Sequence, residues 1–220
     1  MKITCVIPAY NEAVHIAAAV EAVKPYVDEV VVVDDCSKDN TLALAKEAGA
    51  LVLRHAINRG QGAALQTGND YALFRGADII VHFDADNQFA ASEIKDLTAP
   101  LLSGECDAVF GSRFLGKKSN MPSGKKYLIM PLARFINRVV FNIRLTDPQS
   151  GFRALTAAAA SEIRIDNDGM AHCNEILIKT FARALRVKEV PITVTYEEFG
   201  QRWGGGVRIL KDLFLKNLIK

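Results

Sequence analysis

Asp84-Ala85-Asp86-Asn87-Gln88 sets three oxygen-bearing side chains at alternating positions, just past an apolar run that ends at Phe83. Side chains spaced this way at the end of a buried strand can converge on one hard cation, Mg²⁺ or Mn²⁺, because such ions take oxygen ligands. A cation held by Asp84, Asp86 and Gln88 would bridge a diphosphate and neutralise charge developing on it as a leaving group. Acidic loops are common, so this reading depends on the elements around the pentapeptide.

Those elements alternate. Ile3–Pro8 and Glu29–Val33 are apolar runs that read as buried strands, each ending in polar residues, Tyr10-Asn11-Glu12 and Asp34-Asp35. Between them Glu12–Val23 carries apolar residues at helical spacing, which suits a crossover helix. The pattern predicts further helices at Thr41–Ala48, Gly62–Phe74 and Ser92–Leu102, and strands at Ala50–Leu53, Asp78–Phe83 and Asp107–Phe110. A mostly parallel α/β sheet flanked by helices follows, with ligands expected at the carboxyl ends of its strands. Beyond Gly111 the alternation stops. Tyr127–Ile143 is apolar and spiked with arginines, Ala171–Leu185 reads as a helix, Val187–Thr195 as a strand, and Val207–Ile219 as an amphipathic helix. The short alanine run Ala157–Ala160 is the one low-complexity segment.

The length, 220 residues and 24.1 kDa, suits one α/β domain. No apolar stretch reaches the roughly 18 residues of a transmembrane helix, and the N-terminus enters a strand without a signal-peptide pattern. A cytoplasmic protein is expected, or one on the cytoplasmic membrane face. Cys5, Cys36, Cys106 and Cys173 are dispersed and form neither a zinc motif nor a disulfide framework. Between Asp107 and Asp147 lie eight basic residues (Arg113, Lys117, Lys118, Lys125, Lys126, Arg134, Arg138, Arg144) and no acidic one, although the whole chain is only +2. The rest of the chain is therefore net −6, and one segment is built to meet anions or presents a solvated basic face.

Five motifs in order, Val6-Ile7-Pro8-Ala9-Tyr10-Asn11-Glu12, Val33-Asp34-Asp35-Cys36-Ser37-Lys38-Asp39-Asn40-Thr41, Asn58-Arg59-Gly60-Gln61-Gly62, Asp84-Ala85-Asp86 and Gly111-Ser112-Arg113-Phe114, closely resemble the family-2 glycosyltransferases of the GT-A fold. Asp147-Pro148-Gln149-Ser150-Gly151-Phe152-Arg153-Ala154 and Met170-Ala171-His172-Cys173-Asn174-Glu175-Ile176 look like the dolichyl- or polyprenyl-phosphate sugar synthase branch, in its short form without transmembrane spans. The resemblance implies one GT-A domain over residues 1–220: a nucleotide-sugar-binding half (1–110), an acceptor-side half (111–206) and a terminal amphipathic helix (207–219). It implies that Pro8, Tyr10, Glu12 and Asp35 contact the nucleoside, with Gly60 beside the donor. Asp84 and Asp86 would contact the donor ribose, metal and diphosphate, Gln88 the metal, and Arg113 and Arg153 the phosphates. Guanidinium groups suit phosphate oxygens, and tyrosine and proline can pack on a base. Ser150, His172, Glu175 and Arg202 are further acceptor-side candidates. Simpler roles stand beside these: Pro8 and Gly60 shaping turns, Asp34 bracing a loop, Ser37 or Asp39 capping the helix at Thr41, and His172 and Glu175 making structural hydrogen bonds.

The implied activity is inverting, metal-dependent transfer of a hexose from a GDP- or UDP-sugar to a polyprenyl phosphate, with a small integral-membrane partner or peripheral membrane contact and no nucleic acid. A hydroxyl acceptor needs a general base, for which Asp147 is the best candidate unless it orients Arg153 or a loop. A phosphate monoester is already anionic near neutral pH and needs none. The Tyr196–Gly206 stretch departs from the branch pattern: Gly200-Gln201 matches but lacks the preceding lysine, Arg202 supplies a substitute cation, and the three glycines Gly204–Gly206 suit a lid or a linker. Two other functions compete: transfer to a soluble or glycan hydroxyl, and a noncatalytic nucleotide-sugar-binding or scaffold subunit. A dinucleotide-binding domain is disfavoured, since no GxGxxG follows the first strand.

Overall fold

The structure is a computed structural model and describes residues 1–116 and 145–195. Seven strands, β1 (Ile3–Ala9), β2 (Glu29–Asp34), β3 (Leu51–Arg54), β4 (Ile79–His82), β5 (Ala108–Ser112), β6 (Arg153–Thr156) and β7 (Val187–Pro191), form one sheet in the order β3-β2-β1-β4-β6-β5-β7. β1 pairs in parallel with β2 and β4, β2 with β3, and β5 with β7, while β6 runs antiparallel between β4 and β5. The helices are α1 (Ile16–Val23), α2 (Thr41–Glu47), α3 (Gln61–Phe74), α4 (Ile94–Leu102), α5 (Ala157–Glu162) and α6 (His172–Ala182).

The unbroken apolar runs of β1 and β2 are explained by burial on both faces. Cys5, Ile7, Val30, Val32, Ile79 and Val81 pack with Ile16 and Val20 of α1 and Ile94 and Leu97 of α4. Val6, Ile80, Phe110 and Leu155 face the other way, against Leu65 of α3 and Ile176 and Leu177 of α6. Gly68 lets α3 lie this close: a Cβ there would stand 2.2 Å from Val6 Cγ1.

Several expected boundaries shift for local reasons. The first helix starts at Ile16 and not at Glu12, because the backbone N–H groups of Asn11, Glu12 and Ala13 are spent on Ser37 Oγ, Thr41 Oγ1 and Asp39 Oδ2. β5 continues through Gly111 to Ser112, whereas β7 stops at Pro191 and only Val194 pairs again, with Phe89. The helix expected from Ser92 divides into a 3₁₀ turn at Ala91–Glu93 and α4. β6 and α5 were not expected as elements. The alanine run forms α5, capped by Thr156, whose Oγ1 accepts from Ala159 N at 3.2 Å. The segment Tyr127–Ile143, the basic residues from Lys117 to Arg144, the Tyr196–Gly206 stretch with Arg202, and the amphipathic helix at 207–219 lie outside the described residues.

Candidate functional site

The carboxyl ends of β1 and β2 are laced together by polar residues. Asn11 adopts φ +56°, accessible to asparagine in the left-handed region, and its Oδ1 accepts from Lys38 N at 2.9 Å while its own N–H donates to Ser37 Oγ at 2.9 Å. Asp39, one residue before the N-cap Asn40, accepts from Thr41 N at 3.0 Å at the start of α2, and also from Ala13 N at 3.1 Å. Asp34 is fully buried, accepts from Ser37 N at 3.0 Å and pairs with Arg54 at 3.2 Å, the bracing role. Asp35 accepts from His55 Nδ1 (2.7 Å), Arg59 N (2.9 Å) and Gly60 N (2.6 Å), organising the whole 55–60 loop. Pro8 lies within β1, opposite Val33, and not in a turn. Tyr10 leaves its ring 42% exposed beside this platform.

Gly60 has φ +107°, and a Cβ on it would meet Asp168 O at 2.4 Å; on Gly62 it would meet Asn167 O at 2.0 Å. Asp168 O also accepts from Gly62 N at 2.8 Å, closing the start of α3 against the 166–169 segment. Glu175 holds that segment from the other side, accepting from Asp166 N (3.0 Å), Asn167 N (2.8 Å) and Asn167 Nδ2 (2.9 Å) and pairing with Lys179 at 2.7 Å. The structure thus gives Glu175 the structural hydrogen bonds and gives Gly60 and Gly62 a close-packing role.

Asp84, Ala85 and Asp86 follow β4 directly. Gln61 Nε2 donates to Asp84 Oδ1 at 3.0 Å, and Gly151 passes so close that a Cβ there would meet Asp84 Oδ2 at 2.6 Å. Asn87, at φ +57°, turns the chain so that Gln88 N donates to Asp86 Oδ1 at 3.1 Å. Phe83 and Phe89 anchor the ends of this loop by packing on Phe152, with ring centroids 5.3 and 5.0 Å away, and Gln88 O accepts from Thr195 N at 3.0 Å. Burial and then the neighbouring Asp86 charge push the Asp84 carboxyl up to about 7. Burial raises Asp86 as well; Glu12 is raised by burial and then by Asp86. The Asp86 charge thus bears on both Asp84 and Glu12, and the nearby positive groups, His15 for Glu12 and Arg153 and His172 for Asp84, do not offset it. Among the described residues no three His, Cys, Asp or Glu side chains converge as a metal-binding group, so the loop offers two carboxylates and an amide.

Just past the end of β5, Arg113 Nε and Nη2 reach Asp147 Oδ2 and Oδ1 at 2.6 and 2.7 Å, and Arg113 N donates to Oδ2 at 3.1 Å. The Asp147 side chain is fully buried and closed on this guanidinium, a bidentate charge-assisted pair. It orients Arg113 and not Arg153, and by accepting from Arg113 N it also takes the loop-bracing role that the sequence left open. Ser150 is buried nearby in sequence, and its Oγ has no hydrogen-bond partner among the described residues.

Arg153 is 1% exposed, the largest fully buried side chain, and its Nη2 lies 3.5 Å from Cys173 Sγ. His172 Nδ1 is 2.9 Å from Gly169 O and its Nε2 3.4 Å from Cys173 Sγ. Burial alone would raise the Cys173 thiol, but the charges of His172 and Arg153 outweigh it and pull it down to about 6. His82, opposite Arg153 in the sheet, is buried, bonded to Asn69 Oδ1 at 2.7 Å, and held neutral by burial, then by Arg153 and His172. Sequence reasoning missed Gln61, His82, Cys173 and also Glu189, which accepts from Thr146 and Asp147. Gln61 lies in the Asn58–Gly62 motif at the start of α3 and Cys173 in the Met170–Ile176 motif, which were the available signals; His82 and Glu189 gave none.

The model of the family described as Glycosyl transferase family 2 matches residues 4–164. A UDP-N-acetylglucosamine--dolichyl-phosphate N-acetylglucosaminyltransferase of Methanococcus voltae is 33% identical over 236 residues, covering 97% of this chain and 94% of the relative. An undecaprenyl-phosphate mannosyltransferase of Micrococcus luteus is 30% identical, covering 94% of this chain and 89% of the relative. Glucosyl-3-phosphoglycerate synthase of Mycobacterium tuberculosis, solved with Mn²⁺, uridine diphosphate and glucosyl-3-phosphoglycerate, superposes with a TM-score of 0.78 at 22% identity, covering 99% of this chain and 78% of that one. The strand order, the polar strand ends and the family match agree: the protein has the GT-A fold and belongs to glycosyl transferase family 2.

Proposed function

We propose that this enzyme transfers a hexose, with inversion, from a UDP- or GDP-sugar to a polyprenyl or dolichyl phosphate at the cytoplasmic membrane face. The observation that carries the donor half is the Asp84–Gln88 loop, whose two carboxylates are both pushed up by burial, Asp84 also by the charge of Asp86. That donor set fits Mg²⁺ or Mn²⁺: it is all oxygen, negatively charged, and small enough to leave coordination positions for substrate phosphates, the usual arrangement for such ions. Asp84, Asp86 and Gln88 would hold the ion, which supplies Lewis-acid neutralisation of the departing nucleoside diphosphate. Tyr10 and Pro8, with Glu12 and Asp35, shape the nucleoside pocket, and Gly60 lets the 166–169 segment close beside it.

The acceptor half follows from what Asp147 does. Its carboxylate is engaged by Arg113 and so is poorly placed to take a proton from a hydroxyl. A phosphate acceptor needs no base, and Arg113 and the Ser150 hydroxyl are groups that would meet its oxygens, joined by Arg202 from beyond the described residues, while both ring nitrogens of the buried His172 are engaged. Arg153 supports the site from below by its buried charge. The relatives that act on dolichyl and undecaprenyl phosphates favour the same acceptor. Among the described residues no helix is long and apolar enough to cross a membrane. On this proposal the acceptor is reached by peripheral contact, through the basic segment within residues 111–206, the amphipathic sequence at 207–219, or a small integral-membrane partner, with residues 1–110 serving the donor.

The test is incorporation of labelled sugar into a chloroform-soluble product, from each donor, with Mg²⁺ or Mn²⁺. Transfer to polyprenyl phosphate that stops on chelation is expected. A water-soluble hydroxyl acceptor outperforming the lipid phosphate would overturn the acceptor assignment, and undiminished transfer with all divalent ions chelated would overturn the metal.

A further inference from the structure

Glu189 is a half-buried carboxylate on β7 that takes part in no ion pair among the described residues, a costly arrangement unless hydrogen bonds compensate it. Those bonds all come from one short stretch of chain. Thr146 N donates to both carboxylate oxygens at 2.9 Å, Thr146 Oγ1 donates to Oε1 at 2.9 Å, and Asp147 N donates to Oε1 at 3.1 Å. The strand that carries Glu189 pairs in parallel with β5, placing Glu189 opposite Phe110, three residues before Arg113. Ser112 Oγ closes the set at 2.6 Å from Thr146 Oγ1, and Phe114 N donates back to Ser112 Oγ at 3.2 Å.

From this geometry we infer that Glu189 is a positioning residue: it fixes the Thr146-Asp147 turn, and through Asp147 it sets the direction of the Arg113 guanidinium at the acceptor side of the cleft. The inference rests on the reading of Arg113 as an acceptor-phosphate contact. The chain of bonds is continuous. Glu189 fixes the backbone of Asp147, the Asp147 carboxylate grips Arg113 through three N–H groups, and Arg113 directly follows the strand that Glu189's own strand pairs with. A guanidinium held by a bidentate pair has one orientation, and a misplacement of about 1 Å can cost on the order of a hundredfold in rate. Glu189 touches no reacting atom in this scheme. Its negative charge is matched by backbone and hydroxyl donors, so it steadies Asp147 without competing for Arg113.

The test compares Glu189→Ala and Glu189→Gln with wild type in the presence of Mg²⁺ or Mn²⁺. Glu189→Ala is expected to raise KM for polyprenyl phosphate roughly tenfold, leaving KM for the nucleotide sugar within about twofold, since only the acceptor side is reoriented. Glu189→Gln retains one carbonyl oxygen able to accept the same N–H groups and is expected to recover most of the loss. A folded Glu189→Ala protein with wild-type acceptor KM, or one in which both KM values rise together, would overturn the inference. The Arg113 Nε–H resonance in ¹⁵N NMR supplies a readout that needs no turnover: it is expected to be protected from exchange in wild type and exposed in Glu189→Ala. Unchanged protection would also overturn the inference. If wild type itself transfers nothing to polyprenyl phosphate, the acceptor reading fails, and the Arg113 resonance still decides the role of Glu189. Should Glu189→Ala not fold, Thr146→Val removes the hydroxyl between Ser112 and Glu189, and a smaller rise in the same KM is expected; no rise counts against the scheme.

Discussion

Asp84 carries the cost of the site most plainly. Its carboxyl is pushed up to about 7 by burial and then by Asp86, whereas in the unfolded chain it titrates near 3.9. Between those values the folded protein binds the extra proton, so stability of the metal-free protein falls as pH rises through this window. Asp84→Asn removes the penalty and keeps an oxygen to accept from Gln61. The expected result is a metal-free variant more stable than wild type at pH 8 by about 1–2 kcal/mol, or roughly 2–8 °C in melting temperature. The gap should close as the pH is lowered towards about 4. Thermal unfolding of both proteins across that range checks it; a variant less stable than wild type at pH 8 would contradict the electrostatic account. The residues that touch the site were legible in part. Asp84, Asp86 and Gln88 were readable because chemistry and position fall in one pentapeptide. The pairing of Arg113 with Asp147, 34 residues apart, and the grip of Glu189 on Thr146, 43 residues apart, were not, because nothing local in the sequence marks either contact.

At the scale of elements, the proposed donor side is assembled where three segments meet: the 55–60 loop on Asp35, the start of α3, and the 166–169 segment held by Glu175. The meeting leaves no room for a side chain at Gly62, whose Cβ would lie 2.0 Å from Asn167 O. Gly62→Ala is therefore expected to destabilise by about 2–4 kcal/mol, as over-packing against backbone does, and to weaken donor binding with it. Urea unfolding measures the first effect; a loss below about 0.5 kcal/mol would show that the segments part easily. Gly151→Ala addresses the metal loop instead, since its Cβ would press on Asp84 Oδ2 at 2.6 Å. It should impair activity more than stability, and a variant with wild-type turnover would argue that the 148–152 turn does not bear on Asp84. The parallel strands were legible because β1 and β2 are long apolar runs ending in polar residues. β6 was not, because it is four residues long, begins with a buried arginine, and runs antiparallel between strands distant in sequence. The start of α1 was misread because helical periodicity extends through Glu12, while the N–H groups there are taken by the β2 loop.

For the whole molecule, the insertion of β6 between β4 and β5 joins the strands on either side into one sheet, so the Asp84–Gln88 loop and Arg113 are held by a common frame. The charge is divided as the proposed chemistry requires: basic from Arg113 to Arg144 and net acidic elsewhere. Binding to anionic vesicles is expected at low salt and should weaken several-fold by about 0.5 M salt, as screened electrostatic contact does. Flotation measures this, and absence of binding at low salt would argue that a membrane partner alone brings the enzyme to its acceptor. The central claim is that a divalent ion at Asp84, Asp86 and Gln88 clamps the donor diphosphate. Calorimetric titration of UDP and GDP into wild type and Asp86→Ala, with Mn²⁺ and after chelation, tests it most directly. Binding of one nucleotide that requires the ion and weakens by about a hundredfold or more in Asp86→Ala is predicted. Equal affinity with and without the ion, or in the variant, would contradict the account.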